Sequence, residues 1–309
     1  MADLNISRLT LGTVQLGMPY GIANKSGKPD ERVAFDMLRR AGEGGVTCLD
    51  TAHAYGESEQ VIGRYYGDGP RPTIVTKLQL LLDPDATEAE AERTMNGQLE
   101  ESLSRLATEH VPIVLLHNPA VLLRHGAAIR RTFLRMKEEG RIGRAGVSFG
   151  ADIDDQLREL WPIVEDELFE AVQVPINILD HRLLRNGGLA KFRESGKIVF
   201  ARSVFLQGLV FLRDEELPAH LSAAAGPLRA LRDIAAGAGQ SIEQLAVSFV
   251  RDLPEVDSLV IGAETSEQLE GILRVMDGPK VPGAVRDELL DRLADTPEAV
   301  VNTVFWTKK

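Results

Sequence analysis

Four ionisable residues in the first half of the chain have the types that proton transfer beside a carbonyl group requires. They are Asp50 and Tyr55 in the stretch VTCLDTAHAYG, Lys77 in IVTKL and His117 in VPIVLLHNP. A free tyrosine phenol has a pKa of about 10 and is a slow acid or base at neutral pH. A lysine ammonium beside the phenol favours the phenolate, and an aspartate paired with that lysine keeps it in place and charged. Asp50, Lys77 and Tyr55 are therefore predicted to form a proton relay.

His117 completes a set that could reduce or oxidise a substrate. It follows a strongly apolar run, where an imidazole is costly unless it has a partner. A neutral imidazole could donate a hydrogen bond to a substrate carbonyl and fix it while Tyr55 transfers the proton. No side chain supplies a hydride, so the four residues imply a nicotinamide or comparable cofactor.

Each of the four residues also has a purely structural interpretation when it is taken alone. Asp50 could cap a helix that begins after it, and Tyr55 could be a packed ring with a solvated hydroxyl. Lys77 could be a solvated strand end, and His117 could be a core histidine. Their occurrence in one order on successive units favours the catalytic interpretation.

Short β-type runs alternate with longer segments of helical periodicity, which is typical of βα units around a parallel sheet. The predicted strands are Leu9 to Gly12, Val46 to Asp50, Thr73 to Lys77, Val111 to His117, Gly146 to Phe149, Ala171 to Val174, Ile198 to Ala201 and Ser258 to Ile261. The clearest predicted helices are Asp30 to Ala41, Glu88 to Leu106, Ala127 to Glu139, Ala223 to Ala236 and Ser266 to Val275. Eight such units favour an α/β fold of the (β/α)8 TIM barrel type over an open sheet. The second, third and fourth strands would then end at the mouth of the barrel, where barrel enzymes place their chemistry.

Length and composition agree with one such barrel. A (β/α)8 barrel commonly fills about 250 residues or more, and this chain has 309. No low-complexity linker divides it, so we expect a single domain over 1–309, with an extra C-terminal helix and tail at about 282–309.

Charge and cysteine content limit the partners. A net charge of -11 argues against nucleic acid, which binds clustered lysine and arginine. The one cysteine, Cys48, lies in an apolar run and is predicted to be buried. No run approaches the roughly 18 apolar residues of a membrane span. We therefore expect a small-molecule partner and a cytoplasmic location, while oligomeric state stays open.

No metal site is predicted. The histidines His110, His125, His181 and His220 look like surface or loop residues and lack ligand spacing.

The strings LDTAHAYG, IVTKL, LLHNP, GVS at Gly146 to Ser148, Gln173 and VIGAETSEQL, in this order, resemble the aldo-keto reductase superfamily. The resemblance implies a (β/α)8 barrel that binds NADPH or NADH in an extended pose and interconverts a carbonyl and an alcohol. No Rossmann glycine motif is needed, and the chain has none. By the same resemblance, Tyr55 transfers the proton with help from Asp50 and Lys77, and His117 orients the carbonyl.

The resemblance also implies a set of cofactor-binding positions. These are Gly12, Thr13, Asp50, Ser148, Gln173, Arg202, Ser203, Leu206, Gly208, Ile261, Gly262, Glu264 and Gln268. Two positions depart from the family. Phe149 stands where an asparagine is common, and Arg202 stands where an aromatic ring often stacks on the nicotinamide. A guanidinium plane can also lie against an aromatic ring.

Cofactor preference is left open between NADPH, the family default, and NADH. A carboxylate at Glu264 would repel a 2'-phosphate and could accept hydrogen bonds from ribose hydroxyls. The basic residue Arg274 nearby keeps the preference between NADPH and NADH open.

The opening GTVQLGMPYGIANKSG resembles bacterial members of the superfamily, including some associated with carbohydrate metabolism. Gln15, Tyr20 and His53 are the predicted contacts of a small polar, sugar-like substrate. Three functions follow: a net carbonyl and alcohol oxidoreductase, a redox-neutral epimerase that retains its cofactor, or a non-catalytic cofactor-sensing subunit.

Overall fold

Eight parallel strands close into a barrel in sequence order in the computed structural model, which describes residues 4–24 and 27–306. The strands are β1 (Leu9–Gly12), β2 (Cys48–Asp50), β3 (Thr73–Leu78), β4 (Val111–Leu116), β5 (Ile142–Ser148), β6 (Phe169–Pro175), β7 (Ile198–Arg202) and β8 (Ser258–Gly262). Closure is made by β8 against β1, with Leu9 opposite Leu259 and Gly12 opposite Gly262. The predicted (β/α)8 barrel is confirmed.

Helices surround the strands. They are α1 (Val14–Gly17), α2 (Glu31–Glu43), α3 (Ser58–Tyr66), α4 (Glu88–Arg105), α5 (Leu122–Glu138), α6 (Ile153–Val164), α7 (Arg182–Arg185), α8 (Gly188–Glu194), α9 (Ala225–Ala238), α10 (Ile242–Arg251), α11 (Ser266–Met276), α12 (Gly283–Arg292) and α13 (Glu298–Val301). Short 3-10 helices lie at Pro119–Val121, Leu206–Phe211, Asp214–Glu216, Ala219–Ala224 and Thr303–Trp306. None of the helices in 4–24 and 27–306 is long and apolar enough to span a membrane.

Side-chain caps begin several of the helices. Asp30 accepts from the Val33 amide at α2, and Thr265 accepts from the Gln268 amide at α11. At α4, Thr87 and Glu90 form a reciprocal capping box. Such caps satisfy amides that have no partner within the helix, so the local sequence specifies where each helix starts.

Most predicted boundaries lie within two residues of the observed ones, and two elements begin four or more residues earlier than predicted. Strand β5 begins at Ile142 rather than Gly146, because the half-exposed Arg144 interrupts the apolar pattern that the prediction used. Helix α5 begins at Leu122 rather than Ala127, and it is kinked at His125.

Two of the histidines expected to be surface or loop residues, His125 and His181, are buried. His125 packs inside α5, and the His181 ring lies against Phe249 with 5.2 Å between ring centroids. The His181 Nε2 atom is 2.8 Å from the Ile178 carbonyl oxygen, which satisfies one side of the ring. The expectation is therefore wrong for His125, which lies within a helix, whereas His181 is buried but does lie in the loop before α7.

The apolar core has two layers. The larger one fills the space between the sheet and the helices. The smaller one, inside the barrel, consists of Cys48, Val75, Ile113, Leu115, Ala171 and Phe200. Burial raises the pKa of the Cys48 thiol to about 12, so this cysteine is a packing residue, as predicted.

The C-terminal segment contains α12, α13 and the last 3-10 helix. This agrees with an extra helix from about residue 282, although residues 307–309 of the predicted tail lie outside the described part. The assignment of all 309 residues to one domain stays a prediction.

Two glycines show the difference in packing between the barrel strands and the outer helices. A methyl group at Gly146 of β5 would lie 2.0 Å from the Ala171 carbonyl oxygen and 2.7 Å from the Leu115 Cδ2 atom. At Gly97, inside α4, nothing lies within 4 Å of the same position.

We expect the same Gly→Ala change to have opposite effects at these two sites. Gly146→Ala should lower the free energy of unfolding by about 2 kcal/mol or more, because β6 would have to move. Gly97→Ala should raise it by up to about 1 kcal/mol, because alanine favours the helix. Urea unfolding of both variants measures this. A wild-type midpoint for Gly146→Ala would contradict the described contact between β5 and β6.

Candidate active site

The residues predicted to do chemistry converge at the carboxyl end of the barrel. Asp50 ends β2, Lys77 is the next-to-last residue of β3, and His117 follows β4 directly. Ser148 and Arg202 are the last residues of β5 and β7. Each lies on a different strand of one closed sheet, so the barrel alone brings them to one mouth.

Asp50 and Lys77 form a buried ion pair. The Lys77 Nζ atom lies 2.7 Å from both carboxylate oxygens of Asp50 and donates to the Thr51 carbonyl at 2.9 Å. Lys77 is 0% exposed and Asp50 is 3% exposed. Burial alone would lower the pKa of Lys77, but Asp50 and Tyr55 raise it above its ordinary value. The lysine is therefore charged at physiological pH.

The Asp50 carboxylate is also held from the opposite side of the barrel. Gln173 on β6 donates from Nε2 to Asp50 Oδ1 at 2.7 Å. The Asp50 carbonyl accepts from both the amide and the hydroxyl of Thr13, at 2.9 and 2.8 Å. With these bonds and Lys77, Asp50 has little freedom to turn.

Tyr55 extends from a tight loop between β2 and α3. Its hydroxyl is 3.4 Å from Lys77 Nζ, and that nitrogen is 4.7 Å from the ring centroid. A methyl group at Gly17 would lie 1.8 Å from the Tyr55 carbonyl oxygen, so α1 packs directly on this loop. A larger residue at position 17 would therefore displace the backbone of the loop that carries Tyr55.

His117 lies beside Tyr55 and carries no charge at neutral pH. The two rings meet edge to face, with 5.7 Å between centroids and an interplanar angle of 81°. Burial, and then the charges of Lys77 and Arg202, lower the pKa of His117 to about 3. Its Nδ1 atom is buried and forms no hydrogen bond within the described residues. Because His117 also lines the cleft above the site, its ring can offer a hydrogen bond to a ligand there.

Ser148, Gln173 and Arg202 form the floor of the site next to Asp50. The Ser148 Oγ atom is 3.5 Å from Gln173 Oε1. Arg202 donates from Nη2 to the Phe149 carbonyl at 2.8 Å and from Nη1 to Ser203 Oγ at 2.9 Å. The Phe149 side chain is fully buried and packs against Phe192, so it presents only its backbone to this floor.

A cleft of about 480 Å³ opens above these residues. It is lined by Asp50, Tyr55, His117, Ser148, Gln173 and Arg202, together with Gly12, Met18, Ala54 and others. A second cavity of about 410 Å³ runs on toward α11, and Gln15, Tyr20, Ser203, Gln207 and Gly262 line both. We call the two together the cleft, with a Tyr55 end and an α11 end.

Most of the predicted cofactor positions line the cleft, five of them at the Tyr55 end only and six at the α11 end or the junction. Gly208, Ile261, Glu264 and Gln268 line the α11 end only. Leu206 and Thr13 are buried beneath the cleft and support it rather than line it. Gln15 Oε1 is a buried polar atom that forms no hydrogen bond among residues 4–24 and 27–306. An extended dinucleotide with its polar groups fits this arrangement.

His53 is not brought to the cleft. Its Nε2 atom lies 2.8 Å from Glu101 Oε2, and its carbonyl accepts from Arg105. Sequence reasoning placed it in the pocket because it belongs to the same short loop as Tyr55. The loop, however, turns it toward α4.

Sequence reasoning missed Glu243, which lies in the first turn of α10 and lines the α11 end of the cleft. No local signal marks it, because an acidic residue in the first turn of a helix is common for structural reasons.

The loop after β7 has an uncommon backbone. Ser203, Leu206 and Gln207 have positive φ angles of 63°, 46° and 55°, and Gly208 follows with 91°. Non-glycine residues in this region carry strain, which often marks a ligand-binding segment.

A family description agrees with this geometry. The model of the aldo/keto reductase family matches residues 8–284. The chain belongs to the aldo/keto reductase family. Members of this family are oxidoreductases, and this aldo/keto reductase is an NAD(P)-dependent enzyme that interconverts carbonyl and alcohol groups.

Relatives span nearly its whole length. It is 27% identical over 304 residues to aldo-keto reductase YhdN from Bacillus subtilis, covering 89% of this chain and 87% of the relative. It is 28% identical over 311 residues to the uncharacterized oxidoreductase Rv2298 of Mycobacterium tuberculosis, covering 93% and 89%.

Solved structures share the fold. The holo form of aldo-keto reductase AKR11C1 from Bacillus halodurans superposes with a TM-score of 0.71 at 20% identity, covering 94% of both chains. The glycerol dehydrogenase AKR11B4 from Gluconobacter oxydans superposes with a TM-score of 0.70 at 22% identity, covering 95% of this chain and 93% of that one.

The depressed pKa of His117 has a measurable consequence for stability. Because the folded state holds the ring neutral down to about pH 3, while an unfolded histidine titrates at about 6.5, the unfolded state binds more protons between these values. The contribution of the neutral ring to the free energy of unfolding is therefore complete above about pH 6.5 and decreases as the pH falls below that value. We expect wild type to lose on the order of 2 kcal/mol more than His117→Gln between pH 7 and pH 5. Parallel loss in both proteins, measured by urea unfolding at each pH, would contradict this.

Proposed function

We propose that this aldo/keto reductase interconverts the carbonyl and alcohol forms of a small polar substrate, with Tyr55 as the general acid and base. The observation that carries the proposal is the position of the Tyr55 hydroxyl, 3.4 Å from a lysine ammonium that is itself locked by Asp50. A buried cation beside the phenol stabilises the phenolate that forms when the proton is given to the carbonyl oxygen. A bound nicotinamide supplies or accepts the hydride.

His117 orients the carbonyl in this proposal. A neutral imidazole donates one hydrogen bond and carries no competing acidic charge, and the low pKa of His117 supports that state. Tyr55 and His117 line the same cleft with 5.7 Å between ring centroids, which supports a shared contact with one substrate oxygen. The substrate oxygen is then held by two donors.

The cleft supports an extended nicotinamide dinucleotide. Ser148 and Gln173 would hold the carboxamide at the Tyr55 end, and Ser203 and Gly208 would border the pyrophosphate. The Gln15 side-chain oxygen Oε1, a buried atom without a hydrogen-bond partner among the described residues, would accept from a ribose hydroxyl.

We infer a preference for NADH. The α11 end of the cleft is lined by two carboxylates, Glu243 and Glu264. A 2'-phosphate there would face both, and repulsion between like charges falls slowly with distance at a partly buried site. Arg274, which kept the question open, lines a different cavity, but its guanidinium is near Glu243: a methyl group at Gly271 would lie 3.8 Å from Arg274 Nη2 and 3.4 Å from Glu243 Oε1.

The substrate is proposed to be small and sugar-like. Gln15 and Tyr20 line the cleft and offer an amide and a phenol to hydroxyl groups. His53 is not among the proposed substrate contacts, because its Nε2 atom lies against Glu101.

A cytoplasmic location is also a proposal, consistent with a single buried thiol.

A redox-neutral epimerase is the second candidate, favoured by one contact. A methyl group at Gly208 would lie 2.5 Å from the Ala23 Cβ atom, so the loops after β1 and β7 touch where they border the cleft. Loops that meet over a cofactor slow its exchange. Cofactor that survives purification and shows no net redox change during turnover would favour this reaction.

The role of Tyr55 is tested by Tyr55→Phe. We expect kcat to fall by about 10²-fold to 10⁴-fold on any substrate found in a panel of small aldehydes, ketones and polyols, because the proton donor is lost. The Kd of the reduced cofactor, followed by its fluorescence, should stay within about twofold. Tyr65→Phe is the matched control, since the Tyr65 ring packs against Phe35 away from the cleft. Retention of most of the activity by Tyr55→Phe would refute the proposed role.

Cofactor preference is tested by the ratio of the Kd values of NADPH and NADH. We expect NADH to bind about tenfold tighter or more in wild type, and the double variant Glu243→Gln, Glu264→Gln to lose most of that preference. Glu267→Gln, on α11 but outside the cleft lining, should leave the ratio unchanged. Tighter binding of NADPH by wild type would show that the carboxylates do not set the preference.

A further inference from the structure

The end of β7 places a fixed cation in the floor of the cleft. Arg202 lines the Tyr55 end and not the α11 end. Both of its hydrogen bonds go to neutral acceptors, the Phe149 carbonyl and the Ser203 hydroxyl. Among residues 4–24 and 27–306, no carboxylate forms an ion pair with it. Its charge is therefore uncompensated, unlike that of Lys77.

The position of this cation is set before any ligand binds. Arg202 is paired in register with Pro175 of β6, and its carbonyl accepts from the Ile176 amide at 3.1 Å. The guanidinium is tied across to the end of β5 through Phe149. The Arg202 backbone is therefore held by β6, and its guanidinium is held by the residue that follows β5. Its field reaches the chemistry, since it is one of the causes that lower the pKa of His117.

The reacting ring must lie over this floor if the proposed function is correct. Hydride transfer requires the donor and acceptor carbons to be about 3–3.5 Å apart. The acceptor carbonyl must at the same time reach the Tyr55 hydroxyl. The nicotinamide therefore belongs at the Tyr55 end, where the floor consists of Ser148, Gln173 and Arg202.

We propose that Arg202 raises the reduction potential of the bound cofactor, because it weakens the binding of the oxidised form more than that of the reduced form. The oxidised nicotinamide ring carries one positive charge. It takes up a hydride, which is one proton with two electrons, and becomes a neutral dihydropyridine. A fixed guanidinium next to the ring repels only the oxidised state.

The inference rests on the proposed function but goes beyond it. Tighter binding of the reduced form makes the bound couple a stronger oxidant than the free one. On the enzyme, the equilibrium then shifts toward oxidation of the alcohol. A guanidinium that acts only as a flat stacking surface would bind both forms alike and would not shift this equilibrium.

The test measures the Kd values of NAD⁺ and NADH, the former by calorimetry and the latter by fluorescence, for wild type and for Arg202 variants. We expect the ratio of the Kd of NAD⁺ to that of NADH to fall about tenfold in Arg202→Met, which removes the charge but keeps much of the bulk. Arg202→Lys keeps the cation and should hold the ratio within about threefold of wild type. Arg64→Met, on the exposed face of α3, is the control for loss of a positive charge elsewhere.

Folding is checked for each variant by circular dichroism, and Arg202→Gln serves as a second neutral variant that can still donate to the Phe149 carbonyl. A ratio that is unchanged in both neutral variants, while both forms still bind, overturns this inference and leaves the proposed function intact. Equal weakening of both forms has the same meaning, since it shows a packing role. Absence of binding of either form, and of the NADP pair, to wild type would overturn the proposed function and this inference together.

Discussion

The buried ion pair between Asp50 and Lys77 is the interaction on which the site depends. Taking both charges out of water is costly, and the pair persists only because every polar atom finds a partner. Asp50 is bonded to Lys77 and Gln173, so the carboxylate links β3 to β6 across the barrel. Loss of either charge would leave the other buried and unpaired. The same hydrogen bonds that stabilise the buried ion pair also hold Lys77 beside the Tyr55 hydroxyl.

The side chains of the barrel core and those of the active site form successive layers along the same strands. Side chains alternate along a strand, so a residue two places after an inward-facing one also faces inward. The pairs in which a core residue precedes a site residue by two are Cys48 and Asp50, Val75 and Lys77, Leu115 and His117, Ala171 and Gln173, and Phe200 and Arg202. The apolar layer therefore excludes water from below and determines which strand positions can carry chemistry.

This periodicity explains what the sequence could predict and what it could not. Strand ends are marked by apolar runs, so the barrel and the convergence of Asp50, Lys77 and His117 follow from local patterns. The direction of a loop side chain does not follow from local patterns. For this reason His53 was expected at the cleft, although it bonds to Glu101. Glu243 reaches the cleft only because α10 packs beside α11, a long-range contact that no local pattern encodes.

Charge balance distinguishes the roles of the polar groups at the mouth. Burial, together with the nearby cations Lys77 and Arg202, keeps His117 neutral, and of these two cations only Lys77 has a carboxylate partner among residues 4–24 and 27–306. A neutral imidazole is a donor but a poor source of protons at neutral pH, so in the proposed mechanism the acid role falls to Tyr55. Arg202 is left with a charge that forms no ion pair with a carboxylate in the described part of the chain. A ligand whose own charge changes during the reaction is the group on which that charge acts most strongly.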